Sequence, residues 1–438
     1  MARIMTTLLS NKKYWLLGPA LAAPLSAASF EVLPATGDFL GMGRVGGISA
    51  DGATIAAAGW SLATWSPQAV KWTPTTGVNK LDATLPMNGG AWAVSANGTV
   101  LAGWKFSSSG KAACWVNGAR RSLTSYGNSA VNDLNRAGST AVGRNPTGEG
   151  STYYSVAAKW AVSGGTVSSL GDLAGGATHS EATRISADGT TIVGWGTTAS
   201  GVSAFRSTGG AAMVSLGDLA GGRVFSEALG VSADGSVIIG RSESTNGMEA
   251  FRWTSAGMTS LGDLPGGAFQ SLATGVSGDG AIVVGIGASD ADNEGVIWDA
   301  NHGLRSLSGL CAAAGLPSSG YRFTYCRPVI SEDGDSVAGD AIAPDQSQVL
   351  WRLSGLRSML EGLPTPPVQL ALHSKGVTLR FMAEAGFRYQ VQQSENLATG
   401  TWTDVGPPVL GDGLEHQAAP ANANLPRCFY RLVINNAP

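Results

Sequence analysis

The stretch Val231-Ser232-Ala233-Asp234-Gly235-Ser236-Val237-Ile238-Ile239-Gly240 has the pattern of a strand, a tight turn and a second strand. Its Asp-Gly pair can supply the two positive φ angles of a type I′ hairpin turn. The β-branched residues on both sides favour a pleated, half-buried surface. Because closely similar stretches return along the chain, this pattern decides the architecture that the sequence predicts.

The turn occurs seven times. In six of the seven copies an Asp or Asn precedes the glycine, and both residues tolerate the backbone geometry of tight turns. Successive glycines are separated by 40 to 54 residues. A period of about 40–45 residues, built of short strands, is typical of propeller blades. The seven glycines are Gly52, Gly98, Gly138, Gly189, Gly235, Gly280 and Gly334.

Each unit continues with an aromatic-centred strand such as Ala250–Thr254 and then a turn-rich segment such as Ser260–Gly267. This gives four short strands per unit. A sheet of four strands cannot bury both faces by itself, so seven such sheets are expected to stack around a central axis. The sequence therefore predicts an all-β protein in which residues 29–364 form a seven-bladed β-propeller of four-stranded blades.

The segment Phe30–Pro34 is a spare copy of the last strand of a blade, as its distance from the first turn glycine indicates. Pairing of this strand into the seventh blade would remove an open sheet edge, and we expect it to close the ring. The segment Met359–Pro364 could occupy the same place, so two candidates remain for this strand.

The combination of Ser-Ala-Asp-Gly at 232–235, Ala-Phe-Arg-Trp at 250–253 and Leu-Gly-Asp-Leu-Pro-Gly-Gly at 261–267 resembles the HAF family of probable extracellular repeats. The resemblance covers Phe30 to Pro364 and is strongest over residues 169–267. It implies a secreted or surface-exposed bacterial repeat protein. The family brings no shared catalytic residues to this sequence.

Residues 1–28 have basic side chains, then a short apolar stretch, then small residues before Ser29. This order is typical of a secretory signal peptide. The apolar run is interrupted by Gly18, Pro19 and Pro24, and it is shorter than the roughly 20 residues that span a bilayer. We therefore expect an extracellular or cell-surface protein without a transmembrane segment after removal of the signal.

A proline-rich segment, Pro364–Pro367, has the composition of a stiff linker. Beyond it, apolar and polar residues alternate, which indicates half-buried strands. Residues 365–438 are therefore predicted to form a small C-terminal β-sandwich. The segment Tyr389–Trp402, together with Phe429–Arg431, resembles a small fibronectin-like module found at the C-termini of secreted bacterial proteins.

The net charge is −3 and no basic run exceeds a pair, which argues against a nucleic-acid partner. The four histidines are scattered and do not have the spacing of a zinc site. Asp290, Asp292 and Glu294 resemble the start of a calcium loop, but Asn301 stands where such a loop requires glutamate. We expect no cofactor and treat these carboxylates as a weak calcium candidate.

Thiols tend to pair in the oxidising compartments to which secreted chains go. Cys311 and Cys326 bracket the insertion that makes the last repeat the longest, so we predict a disulfide between them. Cys114 lies in a predicted blade strand and Cys428 in a predicted C-terminal strand. Two buried free thiols are the favoured interpretation of this second pair.

Several charged residues recur from unit to unit. Catalysis needs its residues once, whereas a structural contact is needed in every blade, so repetition argues for a structural role. We expect each recurring Asp to tie down a turn or pair with a neighbouring strand. The recurring residues are Asp172, Asp218 and Asp263, together with Arg206 and Arg252.

In each unit the connections after the first and third strands are short, whereas the other two vary, so the variable loops gather on one face. Binding residues are commonly found on such loops. We predict a non-catalytic module that binds a glycan or a protein at the cell surface, because exposed aromatic groups stack on sugars and anchor interfaces. The candidate contacts are His179, Phe225, Phe269, Tyr153, Tyr154, Phe323 and Tyr325.

Other interpretations remain open. The same aromatic residues could cap the blade ends as core. Two loop carboxylates facing each other could make the protein a polysaccharide-active enzyme, a glycosidase or a lyase, although no residue singles itself out. A structural surface protein without a discrete site is the third possibility.

Overall fold

The computed structural model divides the chain into two compact units, Ala27–Ala300 with Ser306–Arg357 and Asn301–Arg305 with Ser358–Pro438. Within the described part of the chain, no helix is both long and apolar enough to cross a membrane. The predicted signal peptide lies outside the described residues. The structure describes residues 28–33, 39–61, 66–81, 89–105, 110–124, 127–147, 154–290, 292–323, 327–362, 369–373, 376–383, 387–394, 403–410, 414–418 and 429–436.

The larger unit is built of seven groups of antiparallel strands, numbered here as sheets 1 to 7 in chain order, and a parallel bridge between Val202 and Phe225 joins sheets 4 and 5. The first strand of the described residues is β1 (Ser29–Leu33). Sheet 1 contains β2 (Phe39–Ile48), β3 (Ile55–Ser61), β4 (Ser66–Thr73) and β5 (Gly77–Lys80). Sheet 2 contains β6 (Gly89–Val94), β7 (Val100–Lys105), β8 (Lys111–Val116) and β9 (Ala119–Ser122). Sheet 3 contains β10 (Ala130–Leu134), β11 (Thr140–Thr147), β12 (Tyr154–Ala161) and β13 (Val167–Gly171).

Sheet 4 contains β14 (Gly175–Ile185), β15 (Thr191–Thr198), β16 (Gly201–Thr208) and β17 (Val214–Ser215). Sheet 5 contains β18 (Gly221–Val231), β19 (Ile238–Ser244), β20 (Met248–Thr254) and β21 (Gly257–Gly262). Sheet 6 contains β22 (Ser271–Val276), β23 (Ile282–Ala288) and β24 (Asn293–Asp299), and the chain continues through β25 (Gly303–Ser306) into helix α1 (Leu307–Ala313). Sheet 7 contains β26 (Val329–Ile330), β27 (Ser336–Ile342) and β28 (Gln348–Ser354).

The first strand of the chain completes the seventh sheet. β1 pairs antiparallel with β28, from Ser29 opposite Ser354 to Leu33 opposite Leu350. Each sheet packs on the next in chain order, and β2 of sheet 1 packs on β27 and β28 of sheet 7. The predicted ring closure by the N-terminal strand is confirmed, while Met359 lies in helix α2 (Leu356–Gly362) instead of a closing strand.

The repeated turn is stabilised by its serine. Ser232 Oγ donates to Asp234 Oδ1 at 2.7 Å and accepts the backbone N–H of Val237 at 2.9 Å. The hydrogen bond from Ser232, together with the bonds from Ser236, lowers the pKa of the Asp234 carboxyl. The same two serine bonds recur at Ser49, Ser95, Ser186, Ser277 and Ser331.

This turn differs from the predicted type I′ hairpin. A type I′ turn needs two residues with positive φ. Here only Gly235 has one, 74°, whereas the φ of Asp234 is not positive. Gly235 N–H donates to Ser232 O at 3.0 Å, which makes a four-residue turn followed by a left-handed glycine. The Asp carboxylate explains the difference, since it accepts the Ser236 N–H at 3.0 Å and holds its own backbone right-handed.

The seven turns are joined into a closed circle, which we name the axial belt. In each turn the residue after the serine, or after Asn135 in sheet 3, is linked to the next turn by a backbone hydrogen bond of 2.8 to 3.2 Å, and Asp333 N–H donates to Ala50 O to complete the circle. Arg136 Nη1 also meets Glu332 Oε1 at 2.5 Å, which joins sheet 3 to sheet 7. The axial belt consists of Ala50, Ala96, Arg136, Ala187, Ala233, Gly278 and Glu332.

The recurring arginines and tryptophans are contacts between blades. The guanidinium of Arg206 in sheet 4 lies 5.0 Å from the ring centre of Trp253 in sheet 5. Arg252 lies 5.9 Å from Trp298 of sheet 6 in the same way. Cations over indole faces are attractive at this range, so the structural role predicted from repetition is confirmed for these residues.

The smaller unit contains two antiparallel sheets, in agreement with the predicted C-terminal β-sandwich. One has the strands β29 (Gln369–His373), β30 (Gly376–Ala383) and β34 (Leu414–Ala418). The other has β31 (Phe387–Ser394) flanked by β32 (Thr403–Asp404), β33 (Val409–Leu410) and β35 (Phe429–Asn436). Tyr389 and Val391 of β31 are buried.

Replacing Leu33 by Ala tests the ring closure. Leu33 is 1% exposed and packs with Ile55, Trp72 and Leu350 in one apolar cluster. We expect the free energy of unfolding to fall by about 2–5 kcal/mol in chemical denaturation, because a buried leucine is lost from the closing strand. Val214→Ala, at a residue 61% exposed, is the control and should change it by less than about 0.5 kcal/mol. Equal effects would contradict the role of β1.

Candidate functional site

A cavity of about 560 Å³ lies on the axis of the larger unit. We name it the channel cavity. Its walls are formed by the first strands of sheets 1 to 6 and by the segment 327–329 that leads into sheet 7. Most lining residues precede the turns in sequence, while Trp104, Arg144 and Trp195 lie on the second strands that follow them, so the cavity lies on the variable-loop side of the axial belt. Its volume is within the range of about 300–1,000 Å³ that holds small ligands.

Arginines dominate the charge of this cavity. Arg44, Arg144, Arg184 and Arg327 line it, and Arg241 stands beside Glu227 at its wall. Within the described part of the chain, Arg327 forms no hydrogen bond or close ion pair. Burial, followed by the nearby charges of Arg44 and Arg241, lowers the pKa of Arg327. The charge of Glu227 opposes this effect, and the Arg327 residue is exposed, so water screens part of the repulsion between these guanidiniums.

The other four arginines each have a carboxylate. Arg241 Nε and Nη2 both lie 2.7 Å from Glu227 Oε2, and Arg144 Nη1 lies 3.5 Å from Glu181 Oε2. The charge of Arg184 acts on Asp133, and that of Arg44 acts on Asp340. Five guanidiniums thus face four carboxyl groups, and Arg327 shares the charge of Glu227 with Arg241.

The two carboxyl groups behind the cavity wall have raised pKa values. Burial raises the pKa of Asp133, which Arg184 opposes. Burial also raises the pKa of Asp340 to about 6, against the smaller effect of Arg44. Asp340 is 5% exposed, and its Oδ1 has no hydrogen-bond partner in the described structure. Near neutral pH this carboxyl group is close to its titration point.

Indole rings supply the apolar part of the cavity. Trp92, Trp104 and Trp195 line it. The Arg44 guanidinium lies 5.9 Å from the ring centre of Trp92, and the His179 ring lies 5.0 Å from that of Trp195. Arginine and indole groups together suit a ligand with a charged end and a flat or apolar body.

The predicted loop contacts do not form one surface. His179 contacts Trp195 at the cavity, and Phe225 lies under the Arg241 guanidinium at 5.4 Å. Tyr154 and Phe269 are exposed on sheet 3 and on the loop before sheet 6. Tyr153 and Tyr325 lie outside the described residues.

Phe323 was predicted to contact a ligand, and this is wrong. It is 2% exposed and packs edge-on against Trp351 at 5.1 Å and against Phe30 at 6.0 Å. Phe30 belongs to the closing strand β1. Its contact with Phe323 places Phe323 in the core of sheet 7. Phe323 therefore fits the alternative interpretation of these aromatic residues, that they close the end of a blade as part of the core.

The thiol of Cys311 is free and buried in α1, and burial raises its pKa to about 11. Cys326 lies outside the described residues, and because Cys311 is a free thiol the predicted disulfide between the two is wrong. Cys114 is a buried free thiol, as expected, while Cys428 lies outside the described residues.

The weak calcium candidate is a set of local hydrogen bonds. Asp290 Oδ1 accepts the Gly267 N–H, Asp292 Oδ1 accepts the Asn293 N–H, and Glu294 Oε1 accepts from Ser289 Oγ. Among the described residues, no group of three or more His, Cys, Asp or Glu side chains could hold a metal ion.

Sequence reasoning placed Glu181 and Glu227 among the carboxylates of the variable face, but it missed the arginines and tryptophans that line the cavity with them. Arg44, Glu181 and Glu227 each stand five positions before the serine of their turn, while Trp92 stands three before its serine. Successive residues of a strand alternate between faces, so these positions lie on the side of the axis. The available signal was the lack of repetition at these positions once the turns are aligned.

Solved structures share the architecture. TolB from Acinetobacter baumannii is 14% identical with a TM-score of 0.38, over 73% of this chain and 64% of that one. Oligogalacturonate lyase from Vibrio parahaemolyticus is 9% identical with a TM-score of 0.48, over 81% and 96%. The β-propeller domain of the Trilobed protease from Pyrococcus furiosus is 8% identical with a TM-score of 0.47, over 73% and 94%. No family model and no curated protein matches the chain.

These similarities concern the fold alone, and they agree with a β-propeller. The chain spans less than two thirds of the length of the TolB structure. The similar structures include a lyase and a domain of a protease. The prediction of a non-catalytic module binding a glycan or a protein through the loop face is wrong, because Phe323 is buried in the core and the charged groups gather in the channel cavity instead.

Replacing Asp340 by Asn tests the raised pKa. The folded protein holds this proton more tightly than the unfolded chain, so the free energy of unfolding contributed by Asp340 falls as the pH rises from about 4 to 6. At pH 7.5 the variant should be more stable in denaturant titrations by on the order of 2 kcal/mol, and the gain should shrink at pH 5. Asp292→Asn, at an exposed loop, is the control. A gain that is equal at both pH values would contradict the assignment.

Proposed function

We propose that the channel cavity is a binding site for a small molecule that carries a carboxylate or a phosphate. The observation that carries this proposal is the convergence of four arginines on one cavity, where the charges of Arg44 and Arg241 also repel that of Arg327. A bound anion would relieve that repulsion. Hydrogen bonds between a guanidinium and an anion are short, charge-assisted and roughly twice as strong as neutral ones.

The cavity walls support this proposal. Arg44, Arg144 and Arg184 line the same space, so an anion at Arg327 lies among several donors. Their carboxylate partners keep the net excess near one charge, which favours a small anion over a polyanion. The axial belt stands beyond the far end of the lining, where the Arg136–Glu332 ion pair joins two sheets. A ligand would therefore enter from the variable-loop side.

The place of the protein in the cell remains part of the proposal. The resemblance to HAF repeats and the composition of residues 1–28 support secretion to the outside of a bacterial cell. A glycan or a protein at the cell surface stays a predicted partner, and we propose no binding site for it on the loop face.

Replacing Arg327 by Gln tests the anion site. Calorimetric titrations with inorganic phosphate and with butyrate, at low ionic strength, separate the two anion classes. We expect at least one of them to bind saturably, and the variant to bind it tenfold or more weakly, because one buried charge-assisted contact is worth about 1.5–3 kcal/mol. Added salt should weaken the binding to the native protein.

Arg121→Gln is the matched control. Arg121 lies on β9, the outer strand of sheet 2, and is exposed. This variant removes the same charge from the protein without touching the cavity, so its affinity should equal that of the native protein. Equal loss in both variants would show that overall charge is responsible, and the proposal would fail.

A further inference from the structure

The two glutamates of the cavity occupy equivalent positions but are bound differently. The Nε and Nη2 atoms of Arg241 both lie 2.7 Å from Glu227 Oε2. Glu181 Oε1 accepts Asn132 Nδ2 at 2.7 Å, whereas Arg144 Nη1 remains 3.5 Å from Oε2, which is long for a charge-assisted hydrogen bond. In the described structure Glu181 Oε2 accepts no hydrogen bond, so one of the two carboxylates keeps an acceptor for a ligand.

The surroundings of Glu181 suit a cation. Trp104 and Trp195 line the cavity together with Glu181, and indole faces attract ammonium groups. The Glu181 side chain is 16% exposed, so its charge is poorly screened by water. Arg144, at 45% exposed, is the more mobile partner of that pair and can turn toward solvent when another cation takes its place.

The cavity thus has two chemically different ends. Arg327, on which the charges of Arg44 and Arg241 act, is a cationic end, and the carboxylate that acts on it, Glu227, is already paired with Arg241. Glu181, with its indole neighbours, is an anionic end whose second oxygen is available. A simple anion would satisfy only the first end.

We propose that the ligand of the channel cavity is a zwitterion of the amino-acid type, whose carboxylate contacts Arg327 and whose ammonium group contacts Glu181 Oε2. This inference rests on the proposed anion site and narrows its ligand to carboxylates with a separate amine. The bound ammonium replaces the loose contact from Arg144, whose guanidinium then turns toward solvent.

The test compares matched probes on the full mature chain. One series contains ω-amino acids of two to six carbons, and the other contains the corresponding carboxylic acids without the amine. Calorimetry at pH 7 and low ionic strength, up to tens of millimolar probe, gives each affinity. We expect one chain length of the amino acids to bind about tenfold more tightly than its amine-free partner.

The variant Glu181→Gln should abolish this preference and leave the affinity for the plain carboxylate within about twofold. Glu243→Gln is the matched control, because Glu243 also pairs with an arginine, Arg223, away from the cavity. Thermal melts followed by circular dichroism check that both variants remain folded.

The outcomes separate the two proposals. Equal affinities for both series, with butyrate still lost in Arg327→Gln, would overturn the zwitterion and keep the anion site. Saturable binding of neither series, nor of phosphate, would overturn both proposals. A preference for the amine that persists in Glu181→Gln would show that another group contacts the ammonium, and the assignment to Glu181 would fail.

Discussion

The hydrogen bonds of the axial belt are the constraint on which the ring depends. Each joins the backbone of one turn to that of the next, and the last returns to the first. They form because every turn is held in one shape by a serine, or by Asn135 in the third sheet, whose side chain bonds the backbone beyond the turn. The belt residues are mostly alanine and glycine, since seven turns must meet around one axis.

The strands that run from the belt toward the loops carry two kinds of position. Residues that point between sheets repeat, because each interface has the same shape. Residues that point to the axis line one common cavity. Their side chains face this shared space, so they can differ from one sheet to the next. That freedom allows Arg44, Trp92, Asn132 and Glu181 to differ from one another and together to give the cavity its chemistry.

The fold was largely accessible from the sequence because its determinants are local and repeated. The turn at 232–235 needs only its own serine, aspartate and glycine, and the closing strand Ser29–Leu33 copies a blade strand. The cavity was less accessible, because its contacts join residues far apart, as Asn132 and Glu181 show. Phe323 illustrates the same limit, since its burial depends on Phe30 and Trp351, which lie on other strands.

The pairing of β1 with β28 also has a consequence for the order of folding. Ser29 and Ser354 are 325 residues apart, so the first strand to be synthesised waits for nearly the last of the ring. Closing a loop of that length costs about 5 kcal/mol of chain entropy, which only the completed seventh sheet can offset. Until then both strands present open edges, which favour pairing with other chains. During biosynthesis β1 therefore needs protection from aggregation, a need that ends once the ring is closed.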